Sequence, residues 1–289
     1  MASLREIRRR IKSIGSTSQI TRAMQMVAAS KMRKAQQTTL MTRPFAQLMY
    51  RIQRTATTHA HDFTHPLMEV RPIRKTGVIL VGTDKGLCGS LNANLFRVAA
   101  QFDPATTVWV AVGKRAAQFL ARTKRHLAAE FTCTDSPRFA EARPIAGFGR
   151  DMFLKGEVDE VKVIATRFIN TMSQQAGAVE FLPIGEIKSL RIPGAESEAG
   201  LGSGTEMLFE PDPETLLSFL LGHYINIFIF RALLEAKASE QSARMVAMTG
   251  ATDSATELIR SLTLEYNKLR QGNITRELLE IAGGQLGND

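Results

Sequence analysis

Glycine and proline are nearly missing from both ends of this chain. From Ser3 to Tyr50 the only glycine is Gly15 and the only proline is Pro44. From Thr215 to Ile281 there is no proline, and Gly222, Gly250 and Gly272 are the only glycines. Without breakers, each stretch reads as one helix several times the ordinary length. Fifty residues at the α-helical rise make a rod of about 75 Å. Such a rod is too long to be buried in a domain of this size, so it must project or pair. Two rods at opposite ends of a 289-residue chain suggest an antiparallel coiled coil closed by the chain's own termini, with a compact domain between them.

Acid is missing from the first rod. Up to Arg54 the basic residues are Arg5, Arg8, Arg9, Arg10, Lys12, Arg22, Lys31, Arg33, Lys34, Arg43, Arg51 and Arg54, against Glu6 alone. This rod carries the whole of the formal +9 charge, and the remainder is near neutral. A surface this positive suits an acidic partner: nucleic acid, anionic lipid or an acidic protein face. Cysteine is scarce too. Cys88 and Cys133 form no paired motif, so reduced thiols in a cytoplasmic setting are expected. The start has no apolar core of a signal peptide. The most apolar run, 216–230, is broken by Gly222, His223 and Asn226 and is too short to span a bilayer, so it reads as a buried part of a soluble helix.

The rods carry seam patterns. Ser3 with Glu6 fits a capping box. Leu4, Ile7, Ile11 and Ile14 follow in alternating three- and four-residue steps, and the stripe continues less strictly through Ile20, Met24, Val27, Ala28, Met32 and Ala35. In the second rod Met245, Met248, Thr252, Ala255, Ile259, Leu262, Tyr266 and Leu269 keep the same steps. Past Arg270 the stripe changes phase to Ile274, Leu278 and Ile281, and residues 283–289 carry turn signals that predict fraying. The seam residues are small or flexible, which tolerates twisting better than a leucine zipper.

The middle alternates strand and helix. Residues 76–82 (TGVILVG), 107–112 (TVWVAV) and 161–168 (VKVIATRF) read as strands, with a short apolar run at 127–131. Helical spacing covers 91–101, 113–123 and 137–155. This order predicts a parallel α/β sheet. A Gly/Ser/Glu-rich loop at 194–204 and a Pro-rich break at 210–213 lead into the second rod.

Chemical motifs are sparse. Residues 82–90 (GTDKGLCGS) form a glycine-rich link between strand and helix, where phosphates often sit. The link lacks the ending of a P-loop and the spacing of a dinucleotide fingerprint, and reads as a turn. His59, His61 and His65 cluster before Pro66 without cysteine or carboxylate at ligand spacing, and read as a solvated loop. No nucleophile, base and orienter form a motif. An alternative reading, a basic coiled-coil nucleic-acid-binding protein, would want aromatics among the basic residues, and the first helix has none before Phe45.

Residues 19–35 (QITRAMQMVAASKMRKA) and 83–92 (TDKGLCGSLN) resemble signatures of the γ subunit of F-type ATP synthase. So do 168–174 (FINTMSQ), 209–213 (FEPDP), 238–248 (ASEQSARMVAM), 266–271 (YNKLRQ) and 274–281 (ITRELLEI), in the family's order. Ser90 stands where the family more often has glycine, and the run 224–230 (YINIFIF) is more apolar than is typical there.

The resemblance implies an α/β fold: a long antiparallel coiled coil of N- and C-terminal helices plus a central Rossmann-like domain. It divides the chain into an N-terminal coiled-coil helix (1–58), a foot domain (75–195) and a C-terminal coiled-coil helix (210–285). It implies a rotating, non-catalytic central stalk that couples ion flow through a membrane rotor ring to ATP synthesis or hydrolysis on β subunits. The implied partners are the α and β subunits, the ε subunit and the rotor ring, with no nucleic acid, no membrane insertion, no cofactor and no metal. The implied place is the cytoplasmic face of a bacterial membrane. The cysteine pair of the plastid redox switch is lacking. Carried over by motif, Arg270 and Gln271 are expected to hydrogen-bond a loop of β. Thr275 and Glu277 are expected at further contacts, and Met24 near an acidic loop of β with Arg22, Lys31, Arg33 and Lys34 around it.

Overall fold

The computed structural model describes residues 3–59, 64–185 and 212–285. His61, the 194–204 loop, residues 209–211 of the FEPDP motif and the last four residues lie outside them. The elements are α1 (Leu4–His59), β1 (Thr76–Val81), α2 (Leu91–Ala99), β2 (Thr107–Val112), α3 (Lys114–Arg122), β3 (Leu127–Phe131), α4 (Phe139–Leu154), β4 (Glu160–Phe168), β5 (Gln174–Leu182) and α5 (Pro213–Gln285). The first helix runs on past Pro44 and Tyr50. The last begins where Asp212 caps it, with Thr215 donating its backbone N–H to Oδ2 at 3.0 Å and Pro213 opening the first turn. It continues through Gly283 to Gln285, so the turn signals there do not end it. The chain forms two compact units, Met1–Ala28 with Arg244–Asp289, and Ala29–Ala243.

In the first unit α1 starts on Ser3, whose Oγ accepts the Glu6 N–H at 3.3 Å. Glu6 does not complete the capping box; its carboxylate takes Arg10 at 2.7 Å instead. Along α1 in this unit Leu4, Ile7, Ile11, Ile14, Ser18, Thr21, Gln25 and Ala28 are sheltered in strict three- and four-residue steps, with Glu6, Gly15 and Met24 sheltered beside them. The expected stripe drifted where the seam did not. Ile20 and Val27 are 60% and 54% exposed, because polar Ser18, Thr21 and Gln25 hold the seam instead. On α5 every expected seam residue from Met245 to Leu269 is at least half sheltered. The Thr21 and Thr252 hydroxyls meet at 2.7 Å. Counting outward from that contact in opposite directions sets Ile14 against Ile259, Ile7 against Tyr266 and Leu4 level with Leu269.

In the second unit the sheet order is β3-β2-β1-β4-β5. The first four strands are parallel, and β5 runs antiparallel to β4. The sheet is therefore mixed, and β5 is an edge strand that the sequence pattern did not single out. One face packs Ile79, Val81, Val110, Val112 and Val163 against α4 and the first part of α5. The other packs Val78, Leu80, Trp109, Ala111 and Ile164 against α2 and α3. Cover on both faces explains why β1 is a continuous apolar run rather than an alternating one. It also explains the apolar start of α5. By length and composition that helix could cross a membrane, yet Leu217, Leu221, Ile225 and Ile229, at four-residue spacing, are all nearly fully buried. Phe139 meets Phe230 edge-on and Phe181 meets Phe228, so the aromatic content of residues 224–230 is spent on the core.

Candidate partner-contact sites

The clearest exposed feature is the end of α5. The first helix begins at Leu4, level with Leu269, and every described side chain from Arg270 to Leu279 is exposed. Arg270, Gln271, Thr275 and Glu277 stand on this unpaired length. Thr275 turns its hydroxyl back to the Gln271 carbonyl at 2.9 Å. Leu278 and Leu279 are 61% and 68% exposed. A helix that leaves such residues in water over ten positions offers them to something outside the chain.

The basic residues of α1 divide by role. Arg22, Arg33 and Lys34 are exposed, and Met24 is half-buried beside the seam. Lys31 is committed to Asp135 at 2.5 Å, a contact that holds the Asp135 carboxyl below its ordinary range. Its charge therefore serves the second unit first.

A second polar constellation lies inside. Lys237, Ser239, Glu240, Gln241 and Ser242 are all buried, on a length of α5 enclosed all round from Ala236 to Ser242. Lys237 Nζ bridges Asp84 Oδ2 and Glu240 Oε2, each at 3.2 Å. Burial alone would lower the Lys237 ammonium pKa, but the Glu240 and Asp84 carboxylates outweigh it and raise it. Ser239 donates to the Thr166 carbonyl at 3.2 Å, and Ser242 to the Thr171 carbonyl at 2.7 Å. Sequence reasoning gave these residues no role. The signal was available as a polar run between the apolar stretch ending at Ala236 and the seam beginning at Met245.

The same cluster decides what the glycine-rich link does. Asp84 also accepts the Lys114 N–H at the start of α3, at 3.1 Å. Thr83 bonds to the Lys85 carbonyl and to Asn92. A Cβ on Gly82 would lie 2.9 Å from that of Ala116, and one on Gly113, at φ +92°, would lie 2.8 Å from the Gly82 carbonyl oxygen. The glycines thus permit two backbones to touch. Nucleotides in open α/β sheets sit beyond the carboxyl ends of the strands, and here Lys237 of α5 is bonded to Asp84 in the loop at the carboxyl end of β1. Among the other candidates, His65 Nδ1 accepts the Leu67 N–H at 3.2 Å and so caps a short turn. Cys88 is buried and Cys133 partly so. No group of His, Cys, Asp or Glu among the described residues could hold a metal.

These features define a class: a protein of two long helices with an exposed helical tip and an α/β unit whose glycine-rich loop is bonded to a buried lysine of the last helix. The family described as ATP synthase matches residues 3–286. The ATP synthase gamma chain of Opitutus terrae is 47% identical over 290 residues, 99% of this chain and 98% of its own length. That of Methylacidiphilum infernorum is 43% identical, covering 99% of each. Among solved structures, a chain of the Euglena gracilis mitochondrial ATP synthase rotor superposes with a TM-score of 0.65 at 19% identity, over 94% of this chain and 98% of its own. A chain of the Tetrahymena thermophila central stalk and ring gives 0.57 at 24% identity, over 80% and 99%. The chain belongs to the ATP synthase γ chain family. That membership leaves the nucleic-acid reading of the basic helix without support.

Proposed function

We propose that this chain is the rotating central-stalk subunit of an F-type ATP synthase, a peripheral membrane protein on the cytoplasmic face of a bacterial membrane. The observation that carries the reading is the exposed end of α5 beyond Leu269, in a chain related along its whole length to ATP synthase γ chains. In this reading the terminal helices of 1–58 and 210–285 supply the shaft, and 75–195 the foot that meets the ε subunit and the rotor ring, with the first part of α5 packed into the foot's core. The shaft performs no chemistry. It presents different side chains to each of three β subunits as it turns, and so biases otherwise identical catalytic sites toward different states.

Arg270 and Gln271 supply directional hydrogen bonds to β, and Thr275 and Glu277 extend that contact. Met24 and the exposed cations Arg22, Arg33 and Lys34 face an acidic loop of β through a long-range attraction that does not lock geometry. Lys31 adds to it only what its pairing with Asp135 leaves. Co-purification with α and β subunits tests the assignment. Arg270→Ala with Gln271→Ala should leave the isolated chain folded and lower torque and ATP synthesis in the reconstituted complex. Unchanged ATP-driven rotation and synthesis removes the pair from the mechanism.

A further inference from the structure

A shaft is useful only if it does not spin in its own foot. Apolar packing opposes such slippage only through the interlock of side chains, and directional bonds between buried polar groups add fixed angles to it. The apolar part of the contact also leaves a gap: a cavity of about 350 Å³, partly open, lies between one side of α5 (Tyr224, Phe228, Arg231) and Val163, Gly177 and Val179 of the β4–β5 hairpin.

The next two turns are held differently. Lys237 reaches Asp84 in the loop after β1. Ser239 reaches the Thr166 carbonyl near the end of β4. Ser242 reaches the Thr171 carbonyl in the β4–β5 turn and lies 3.4 Å from the Gln174 amide. At 3.6 residues per turn, Ser239 and Ser242 project about 200° and about 140° around the helix from Lys237. Ser239 and Ser242 thus lie about 60° apart on one side of α5 with Lys237 on the other, and the three bonds end on three different segments of the sheet unit. Turning the helix about its axis in either sense stretches at least one of them.

We infer that Lys237, Ser239 and Ser242 form an angular lock that fixes the rotational setting of α5 in the foot and carries torque between them. They are positioning residues rather than contacts with any partner, and the inference rests on the central-stalk reading. The test is the torsional stiffness of the stalk in the assembled complex, measured from single-molecule rotational fluctuations with the catalytic head fixed. The triple variant D84N/S239A/S242A is expected to assemble and hydrolyse ATP, while stiffness falls to about half as the directional bonds are lost. ATP-driven ion transport per ATP hydrolysed should fall with it.

Leu221→Ala, which removes a buried apolar side chain from the same helix, serves as the control. It should cost thermal stability with stiffness unchanged. Unaltered stiffness in the triple variant, or equal softening by Leu221→Ala, overturns the lock. Where the triple variant fails to assemble, Ser239→Ala with Ser242→Ala carries the test with the same two outcomes. If the complex with the unmodified chain does not rotate, the central-stalk reading falls and the lock's role falls with it.

Discussion

Single residues in the foot show how burial sets chemistry. Tyr224 belongs to the apolar start of α5, and burial pushes its phenol up to about 12, with Arg231 opposing. An unfolded tyrosine ionises near 10. Below that pH both states keep the proton, and the residue adds no pH dependence. As pH rises through the interval up to about 12, only the unfolded chain loses the proton, so folding stability falls. Tyr224→Phe should flatten that part of the curve, measured as the midpoint of urea unfolding against pH. Cys133 behaves likewise: burial first, then Glu141, raises its thiol to about 11. Cys88 is 2% exposed. Thiolate is the reactive form, so neither thiol should be alkylated at neutral pH in the native chain, and both should react in denaturant. Fast native labelling of Cys133 would contradict the burial argument.

At the scale of elements, the seam joins two helices with polar residues at its middle. Thr21 and Thr252 meet there, and each has a carbonyl one turn back, Ser18 for one and Met248 for the other. Neither hydroxyl is stranded when its partner is removed. A double-mutant cycle with valine at both positions should give a small coupling, about 0.5–1 kcal/mol, and the double variant should be at least as stable as the parent in urea. The C-terminal half of this seam was legible in the sequence because apolar or small residues fill it from Met245 to Leu269. The N-terminal half was legible to Ile14 and again at Met24, Ala28, Met32 and Ala35, which are sheltered as expected. Between them apolar Ile20 and Val27 face outward while Ser18, Thr21 and Gln25 face in, so there a hydrophobic period pointed the wrong way. Strands β1, β2 and β4 were plain from their β-branched runs. The edge strand β5, QQAGAVEFL, was not, since its glutamines, alanines and glycine carry little strand propensity. The anchors at 237–242 were missed for a related reason. Charge and hydroxyl read as surface until three separate acceptors are brought round the helix by tertiary structure.

For the whole molecule, assembly should depend on charge. The whole of the formal +9 excess sits on α1, so association with acidic partner surfaces should slow as salt shortens the range of attraction. Stopped-flow assembly with α and β at rising ionic strength should show a falling on-rate, and an on-rate indifferent to salt would count against steering by α1. The exposed end of α5 has a separate consequence. An unaccompanied helix of fewer than about fifteen residues is marginal in water, and none of the described residues shields 271–279. Its backbone is thus the natural target for a protease, with Lys268, Arg270 and Arg276 as tryptic positions. Brief trypsin treatment of the free chain should clip there first and leave the sheet unit whole. In the assembled complex the same bonds should resist cleavage. The tip would then act as a built-in gauge of assembly: a subunit that never finds its partners loses the part by which it would drive them.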